Sequence, residues 1–253
     1  MIAFTVADHL IAGAAAAAAG AVNAIAGGGT LISFPTLIAL GATRVGANVT
    51  NTVALCPGYF GGAVAQRSHL PGQRSRLVRL SIAAGLGGLA GSVLLLATGE
   101  AAFTKLVPWL ILLACALLGG QNYLRRWLGI GTRPHGAPSA IALASTFVVS
   151  IYGGYFGAGL GIALLAVLGL VIDESLPRLN ALKQVLALVI NVVAACFFAG
   201  SGHVIWSLVA VMAPASLLGG LAGGKLVNRI SPALLRGAVV TYGTVLAVYY
   251  LLR

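Results

Sequence analysis

The chain has 253 residues, of which 59% are hydrophobic and only 8% are charged, whereas a soluble domain carries about 25% charged residues. This composition excludes an ordinary water-facing surface, so we expect lipid to surround most of the chain. The formal net charge of +11 would indicate nucleic acid in a soluble protein, but basic residues also collect in the cytoplasmic loops of membrane proteins. We therefore expect the lipid bilayer as a partner and no nucleic acid.

Ten apolar segments can be drawn along the chain, and they predict an all-α, polytopic transmembrane helix bundle. They cover 9–26, 29–40, 48–66, 77–98, 103–122, 137–155, 157–172, 180–199, 203–224 and 232–252. The first two are short, as are the sixth and seventh. Each short pair is either two thin helices or a re-entrant hairpin, which is tolerated only inside protein or beside a water-filled cavity. No Lys or Arg precedes Arg44, so we expect the first segment to be a retained helix rather than a signal peptide.

Each short pair meets at a glycine cluster. The first is Gly27-Gly28-Gly29, and a weaker copy is Gly157-Ala158-Gly159. Because glycine costs a helix interior roughly 1 kcal/mol relative to alanine, two clusters at hydrophobic depth indicate broken helices. Paired glycine-interrupted segments in the two halves of a secondary transporter are a sequence sign of its binding site. The alternative is that the glycines only allow close helix packing.

The second half of the chain repeats the first. Residues 87–91 recur letter for letter as residues 219–223, 132 positions later, and Asn48 aligns with Asn180 at the same offset. Gly27 aligns with Gly157 at an offset of 130. The pattern predicts two transmembrane repeats of about five segments each, with short or broken glycine-rich helices. We place the repeats at 1–125 and 137–253, joined by a cytoplasmic linker at 126–136.

The basic residues indicate how the two repeats are oriented. An odd number of crossings in each half turns the second repeat upside down. If the 67–79 loop is cytoplasmic, only Arg44, Lys105 and Arg253 of the 15 Lys and Arg residues fall outside the cytoplasm. Parallel halves would instead divide these residues almost evenly. The positive-inside rule therefore favours inverted-topology repeats, with both chain ends on the outer side.

The sequence lacks the usual signatures of catalysis. The four acidic residues, Asp8, Glu100, Asp173 and Glu174, all fall at segment ends or in loops. The histidines also lie near segment ends, so they form no obvious proton relay. No Gly-x-Ser-x-Gly elbow, nucleotide-binding glycine loop or metal-ligand cluster is present. We therefore predict that the protein is not an enzyme and has neither a cofactor nor a metal.

Polar residues at hydrophobic depth are the candidates for binding. Asn180, Lys183, Gln184 and Asn191 share one face of a predicted helix, and that face should line the centre. Lys183 is then a partner for an anion, although a lysine at a helix start can also extend to the cytoplasmic interface. Helix N-termini at the glycine breaks would add N–H donors. The predicted substrate site comprises Asn23, Gly27, Gly28, Gly29, Thr30, Asn48, Asn51, Thr52, Gly157, Gly159, Asn180, Lys183, Gln184 and Asn191.

These motifs resemble the TauE/SafE sulfite exporter family. The first-half match is residues 27–35, from Gly27 to Pro35, followed by residues 47–52. The second-half match is residues 157–161 with residues 180–183. The second copy has no proline six residues after its third glycine. The resemblance covers nearly the whole chain and implies a multi-pass carrier of small anions in the inner (plasma) membrane. Sulfite, sulfoacetate and other organosulfonates are the substrates usually associated with the family.

We expect an anion exporter that works by alternating access between the two inverted repeats. Backbone N–H groups at the breaks would hold sulfonate or sulfite oxygens, and Lys183 would balance their charge. Sodium coupling through backbone carbonyls stays open. The alternatives are a membrane anchor or assembly subunit that moves no solute, and an anion channel. A homodimer is one allowed oligomeric state.

Overall fold

Over the described residues the chain forms helices alone. The computed structural model describes residues 4–25, 27–120, 123, 140–172, 174–226 and 232–252, with only the backbone for 226 and 232–236. These residues contain nine α-helices: α1 Val6–Ile25, α2 Thr30–Ala39, α3 Arg44–Ala65, α4 Arg74–Gly119, α5 Ala140–Tyr155, α6 Leu160–Val171, α7 Leu176–Ala199, α8 Trp206–Leu226 and α9 Pro232–Leu251. The all-α prediction is confirmed for these residues. The predicted linker 126–136 lies outside them.

Helix length separates crossing helices from shorter ones. Among the described residues, four stretches are long and apolar enough to cross a bilayer: α1, α4, α7 and Trp206–Lys225 of α8. Helices α2 and α6 have 10 and 12 residues, which extend roughly 15–18 Å. That is about half of the ~30 Å hydrocarbon core. Neither α2 nor α6 is therefore long enough to cross alone, and each follows the glycine break that ends the helix before it.

The two glycine clusters break their helices in the same way. Gly27 and Gly157 have φ angles of 84° and 75°, a left-handed conformation that costs residues with a side chain about 1–2 kcal/mol. The N–H of Gly27 donates to the carbonyl of Val22 at 2.9 Å, and that of Gly157 donates to the carbonyl of Tyr152 at 3.2 Å. Both pairs are related by the offset of 130 found in the sequence.

Helix α4 contains both segments expected at 77–98 and 103–122, which follow each other in one run of 46 residues. Gly99, with φ 68° and ψ −179°, interrupts this run and divides it into residues 74–98 and 100–119. The Glu100 carboxylate accepts hydrogen bonds from the amides of Arg44 at 2.7 Å and Val45 at 2.9 Å. It therefore caps the N-terminus of α3, where negative charge is favourable.

Glycines bring the two halves of the chain into close contact. A Cβ on Gly219 would overlap the carbonyl of Ala17, and one on Gly223 would lie 2.6 Å from the Cα of Ala21. Helices α1 and α8 therefore pack backbone to backbone and run in the same direction, as small-xxx-small faces allow.

In the corresponding contact, between α4 and α5, the first half supplies the glycines and the second half supplies the neighbouring helix. A Cβ on Gly87 would overlap the carbonyl of Phe147, and one on Gly91 would overlap the carbonyl of Ile151. These helices also run in the same direction. The partners on α5 are those of α1 shifted by 130 positions, and the glycines are shifted by 132. Each half therefore supplies the same kind of contact to the other.

Candidate functional site

The two glycine breaks meet each other inside the bundle. A Cβ on Gly27 would lie 3.0 Å from the Cα of Gly161, and one on Gly161 would lie 2.9 Å from the Cα of Gly27. Both neighbours are backbone atoms, which cannot move aside as a flexible side chain can. Only glycine therefore allows the end of α1 and the start of α6 to approach this closely.

Lys183 lies beside this meeting point. Its side chain is only 2% exposed, and its Cδ would lie 3.5 Å from a Cβ on Gly161. Its Nζ lies 3.5 Å from the carbonyl oxygen of Asn23 in the last turn of α1. A helix C-terminus carries partial negative charge, which favours a nearby ammonium group. The lysine therefore points into the bundle rather than to its surface.

Gln184 follows Lys183 and is fully buried. Its Nε2 would lie 2.5 Å from a Cβ placed on Gly62, and the Ala24 Cβ would lie 3.5 Å from the same point. Gly62 of α3 therefore makes the room that this amide occupies next to the end of α1.

Asn48 and Asn51 lie three residues apart on α3, and Asn48 contacts the second break. They are 1% and 2% exposed. The Nδ2 of Asn48 donates to the carbonyl of Tyr155, the last residue of α5, at 2.9 Å. The hydroxyl of Thr52 donates to the carbonyl of Asn48 at 2.9 Å, within α3. Asn48 thus holds the end of α5 much as Lys183 holds the end of α1.

Several of these side chains carry buried polar atoms that make no hydrogen bond within the described chain. Eight such atoms occur, and five belong to predicted site residues: Asn23 Nδ2, Asn48 Oδ1, Asn51 Oδ1, Gln184 Nε2 and Gln184 Oε1. A buried donor or acceptor without a partner costs about 1–3 kcal/mol, so native proteins rarely leave one unexplained. Their concentration where the two breaks meet indicates a place for a polar ligand.

Comparison with known proteins places this sequence in a family. The family model for the sulfite exporter TauE/SafE matches residues 12–250. The chain belongs to the sulfite exporter TauE/SafE family. A "Probable membrane transporter protein" of Haemophilus influenzae is 29% identical over 231 residues, covering 87% of this chain and 85% of the relative. "Probable membrane transporter protein YfcA" of Escherichia coli K12 is 25% identical over 241 residues, covering 90% and 84%. No solved structure matches the chain.

Membership of the TauE/SafE family makes this chain a membrane protein of a transporter family. The same membership is consistent with the expectation that it is not an enzyme. The family resemblance inferred from the glycine motifs is confirmed. The site residues, the substrate and the direction of transport stay predictions.

The backbone of this TauE/SafE protein differs from the expected anion cradle. The N–H of Gly29 donates to Asn23 Oδ1 at 2.7 Å, while those of Gly27 and Gly157 donate to carbonyls of the preceding helices. Three of the amides expected to hold an anion are therefore already used. A Cβ on Gly29 would overlap the carbonyl of Ala19, so close packing explains this glycine, and Gly28 faces the apolar side chain of Leu118.

The remaining predicted residues bond or pack elsewhere than to Lys183 and Gln184. Asn191 donates to the Ala187 carbonyl of its own helix at 2.8 Å, and Asn180 donates to Gln66 Oε1 at 2.6 Å. Thr30 is buried at the start of α2. Gly159, with φ 73°, packs against Ala114.

Sequence reasoning missed a polar network at one end of the bundle, which we call the basic end (Gln66, Gln73, Arg76, Glu174 and Arg178). Gln66 accepts from Asn180 and lies 3.4 Å from the carbonyl of Ala24, joining α7 to the end of α1. Gln73 lies 3.4 Å from the carbonyl of Arg178. The sequence signal that could have indicated this network is the set of polar residues that border the basic 67–79 loop.

Glu174 connects the two halves at the basic end. It pairs with Arg178 at 2.7 Å and with Arg76 at 3.2 Å. Burial raises the pKa of the Glu174 carboxyl, but hydrogen bonds and charges from Arg178 and Arg76 outweigh this effect and bring the pKa below its ordinary value of 4.5. Glu174 therefore stays charged and fixes the start of α7, the helix that carries Lys183 and Gln184.

The opposite end of the bundle contains a cavity of about 500 Å³. Thr43 and Gly46 at the start of α3 line one side, and His203 and Trp206 before and at the start of α8 line the other. The amide of Ile205 donates to the buried hydroxyl of Thr50 at 2.9 Å. The cavity therefore begins one turn of α3 away from Asn48 and Asn51.

Proposed function

We propose that this TauE/SafE protein exports small anions, such as sulfite, sulfoacetate or other organosulfonates, across the inner membrane. The observation that carries the proposal is the group of buried, unpaired amide atoms beside Lys183 where the two glycine breaks meet. An anion there receives a charge partner from Lys183 and donors from Asn23 Nδ2 and Gln184 Nε2. Charged groups at membrane depth are costly and usually functional.

The same proposal includes two inverted repeats and alternating access. Helix directions support the inversion. Helix α1 runs with α8, and so does α3, because a Cβ on Gly58 would lie 2.8 Å from the Ser216 carbonyl oxygen and one on Gly224 would lie 2.5 Å from the Ala65 Cβ. Helix α5 runs with residues 74–98 of α4. These residues run against α3, because Glu100 caps the start of α3 while Gln73 lies near the end of α3. Equivalent helices α1 and α5 would then point in opposite directions.

In this mechanism the cavity is the outer vestibule and the basic end is the closed cytoplasmic side. Membrane potential favours exit, since one charge moved through 100 mV is worth about 2.3 kcal/mol and the cytoplasm is negative. An anion can therefore leave without a buried carboxylate relay.

Lys183→Met tests the site directly. Methionine keeps most of the volume but removes the charge, so we expect sulfite flux in proteoliposomes to fall about 10–100-fold, as for a lost hydrogen bond to a charged group. Thr146→Val is the control, because it removes a polar group of α5 that is buried and has no hydrogen-bond partner among the described residues, at a position outside the predicted site. Equal flux in wild type and Lys183→Met, with normal folding, would refute the proposed site.

Cysteine labelling tests the inversion. Thr5 precedes α1 and Ala140 begins α5, and both are exposed. In a background without native cysteines, Thr5→Cys and Ala140→Cys should react with a membrane-impermeant thiol reagent from opposite sides. Labelling of both positions from the same side would favour parallel repeats and would exclude the inverted architecture.

A further inference from the structure

The unpaired atoms at the site include more acceptors than an anion can satisfy. Asn48 Oδ1, Asn51 Oδ1 and Gln184 Oε1 are acceptors, whereas only Asn23 Nδ2 and Gln184 Nε2 are donors. The amide of Asn48 is held in one orientation, because its Nδ2 donates to the Tyr155 carbonyl. Its oxygen therefore stays an acceptor. Sulfite or a sulfonate would add further acceptors and could not pair with the three amide oxygens. A second ligand with positive charge could pair with them.

The repeat indicates where that charge belongs. Lys183 and Asn51 are equivalent at the offset of 132, and Asn23 and Gly153 are equivalent at the offset of 130. In the second half, the ammonium of Lys183 lies at the carbonyl of Asn23, in the last turn of α1. The equivalent place in the first half lies between position 51 and the last turn of α5, and position 51 is an asparagine instead of a lysine.

The end of α5 has the chemistry to receive a cation. The amides of Phe156 and Gly157 both donate to the carbonyl of Tyr152, so neither satisfies the carbonyls of Gly153 or Gly154. The last carbonyls of a helix lack intrahelical partners, and a helix C-terminus attracts positive charge. In secondary transporters such half-helix ends, together with unwound backbone carbonyls, coordinate Na⁺ or H⁺.

We propose that Asn48 Oδ1, Asn51 Oδ1 and the carbonyls of Gly153 and Gly154 in the last turn of α5 form a sodium site, the counterpart of the Lys183 ammonium at the end of α1. In this proposal one repeat supplies positive charge from the Lys183 side chain, and the other binds Na⁺ from solution. A substrate anion between the two breaks then has positive charge on both sides.

The ligands select a monovalent ion. Calcium sites use carboxylates, and Asp8, Glu100 and Glu174 are each already held at a helix start: Asp8 by Thr5, Glu100 by the amides of Arg44 and Val45, and Glu174 by Arg76 and Arg178. Neutral amide and carbonyl oxygens suit an alkali cation. The expectation of no metal concerned histidine, cysteine and carboxylate clusters, so this site goes beyond it.

Its role as a coupling site rests on the proposed transport function, but the binding of Na⁺ does not. The decisive experiment measures the melting temperature of the purified full chain against NaCl, with choline chloride maintaining the ionic strength and KCl as a second arm. Ligands that bind only the folded state raise the melting temperature. We expect Na⁺ to raise it more than K⁺, without any added sulfite.

Variants assign the effect to the site. Asn51→Leu should raise the Na⁺ concentration at half-maximal shift at least about tenfold, since it removes a ligand of a charged group. Thr146→Val should behave like wild type. Asn51→Lys should place an ammonium in the site and make the melting temperature independent of Na⁺, as expected if the lysine replaces the ion.

The outcomes separate the two proposals. If Na⁺ and choline give the same wild-type melting temperature, or if Asn51→Leu keeps the full Na⁺ response, the sodium site is wrong. That result leaves the anion proposal intact if sulfite still stabilises the protein in choline. If Na⁺ stabilises the protein but no anion does so in either salt, the cation site stands and the proposed anion transport fails.

Discussion

The two glycine breaks have the same backbone but different chemistry. Gly27 and Gly157 share a positive φ and the same hydrogen bond to the preceding helix. At the first break a buried lysine lies against the end of α1, while at the second a neutral asparagine holds the end of α5. The two breaks therefore share a backbone shape, but a buried ammonium lies against only the first of them.

The largest effect should come from filling the first break. Gly27→Ala combines a strained positive φ with backbone neighbours at 3.0–3.2 Å, so we expect a loss of about 3 kcal/mol or more in unfolding free energy. Gly157→Ala shares the strain but meets only the Gly153 carbonyl at 3.0 Å, and should lose less. Thermal unfolding in detergent measures both.

Gly200→Ala is the control for this pair, because nothing lies within 4 Å of an added Cβ and the backbone is right-handed. Equal losses for Gly27→Ala and Gly157→Ala would contradict the contact between Gly27 and Gly161.

The next largest effect should come from moving the buried lysine from position 183 to the equivalent position 51. Lys183→Asn should reduce sulfite flux about 10–100-fold. Adding Asn51→Lys returns one ammonium to the equivalent place in the other repeat, so the double variant should recover at least part of this loss. Flux in proteoliposomes measures both. If the double variant transports no better than Lys183→Asn alone, the two positions are not interchangeable.

A smaller effect should follow from displacing Gln184. Gly62→Ala would bring a methyl group to 2.5 Å from Nε2, and the flexible amide can move away. We expect sulfite affinity to fall several-fold, with at most about 1 kcal/mol of stability lost. Gly237→Ala, which meets nothing within 4 Å, should change neither quantity. An unchanged affinity in Gly62→Ala would remove Gln184 from the site.

The smallest effect concerns the salt bridges that position α7. The pKa of Glu174 is lower in the folded state, so its stabilisation is present above the ordinary carboxyl pKa of 4.5 and is lost as pH falls through the lowered value. We expect Glu174→Gln to cost at most about 1 kcal/mol near neutral pH, because partly solvated pairs are screened. The cost should vanish in acid. A variant whose melting temperature runs parallel to wild type at every pH would contradict this role.

Much of the fold could be read from local pattern. Apolar segments and glycine positions depend on short stretches of chain, so they predicted the helices, both breaks and the repeat offsets of 130 and 132. The boundary between the segments expected at 77–98 and 103–122 is confirmed as well, because Gly99 divides α4 between them. The sequence did not indicate that the helix resumes directly at Glu100, whose carboxylate caps the distant start of α3.

The sequence by itself determined that the chain is helical, that lipid surrounds it, and that polar side chains such as Asn51, Lys183 and Gln184 lie on buried helix faces. These properties follow from hydropathy and helical period, which act over a few residues. Only the tertiary structure decided which groups meet. It placed Lys183 at the end of α1, used the amides of Gly27 and Gly29 within the chain, and left the oxygens of Asn48 and Asn51 unpaired. The reason is that hydrogen-bond partners far apart in the chain are chosen by packing, which no local pattern records.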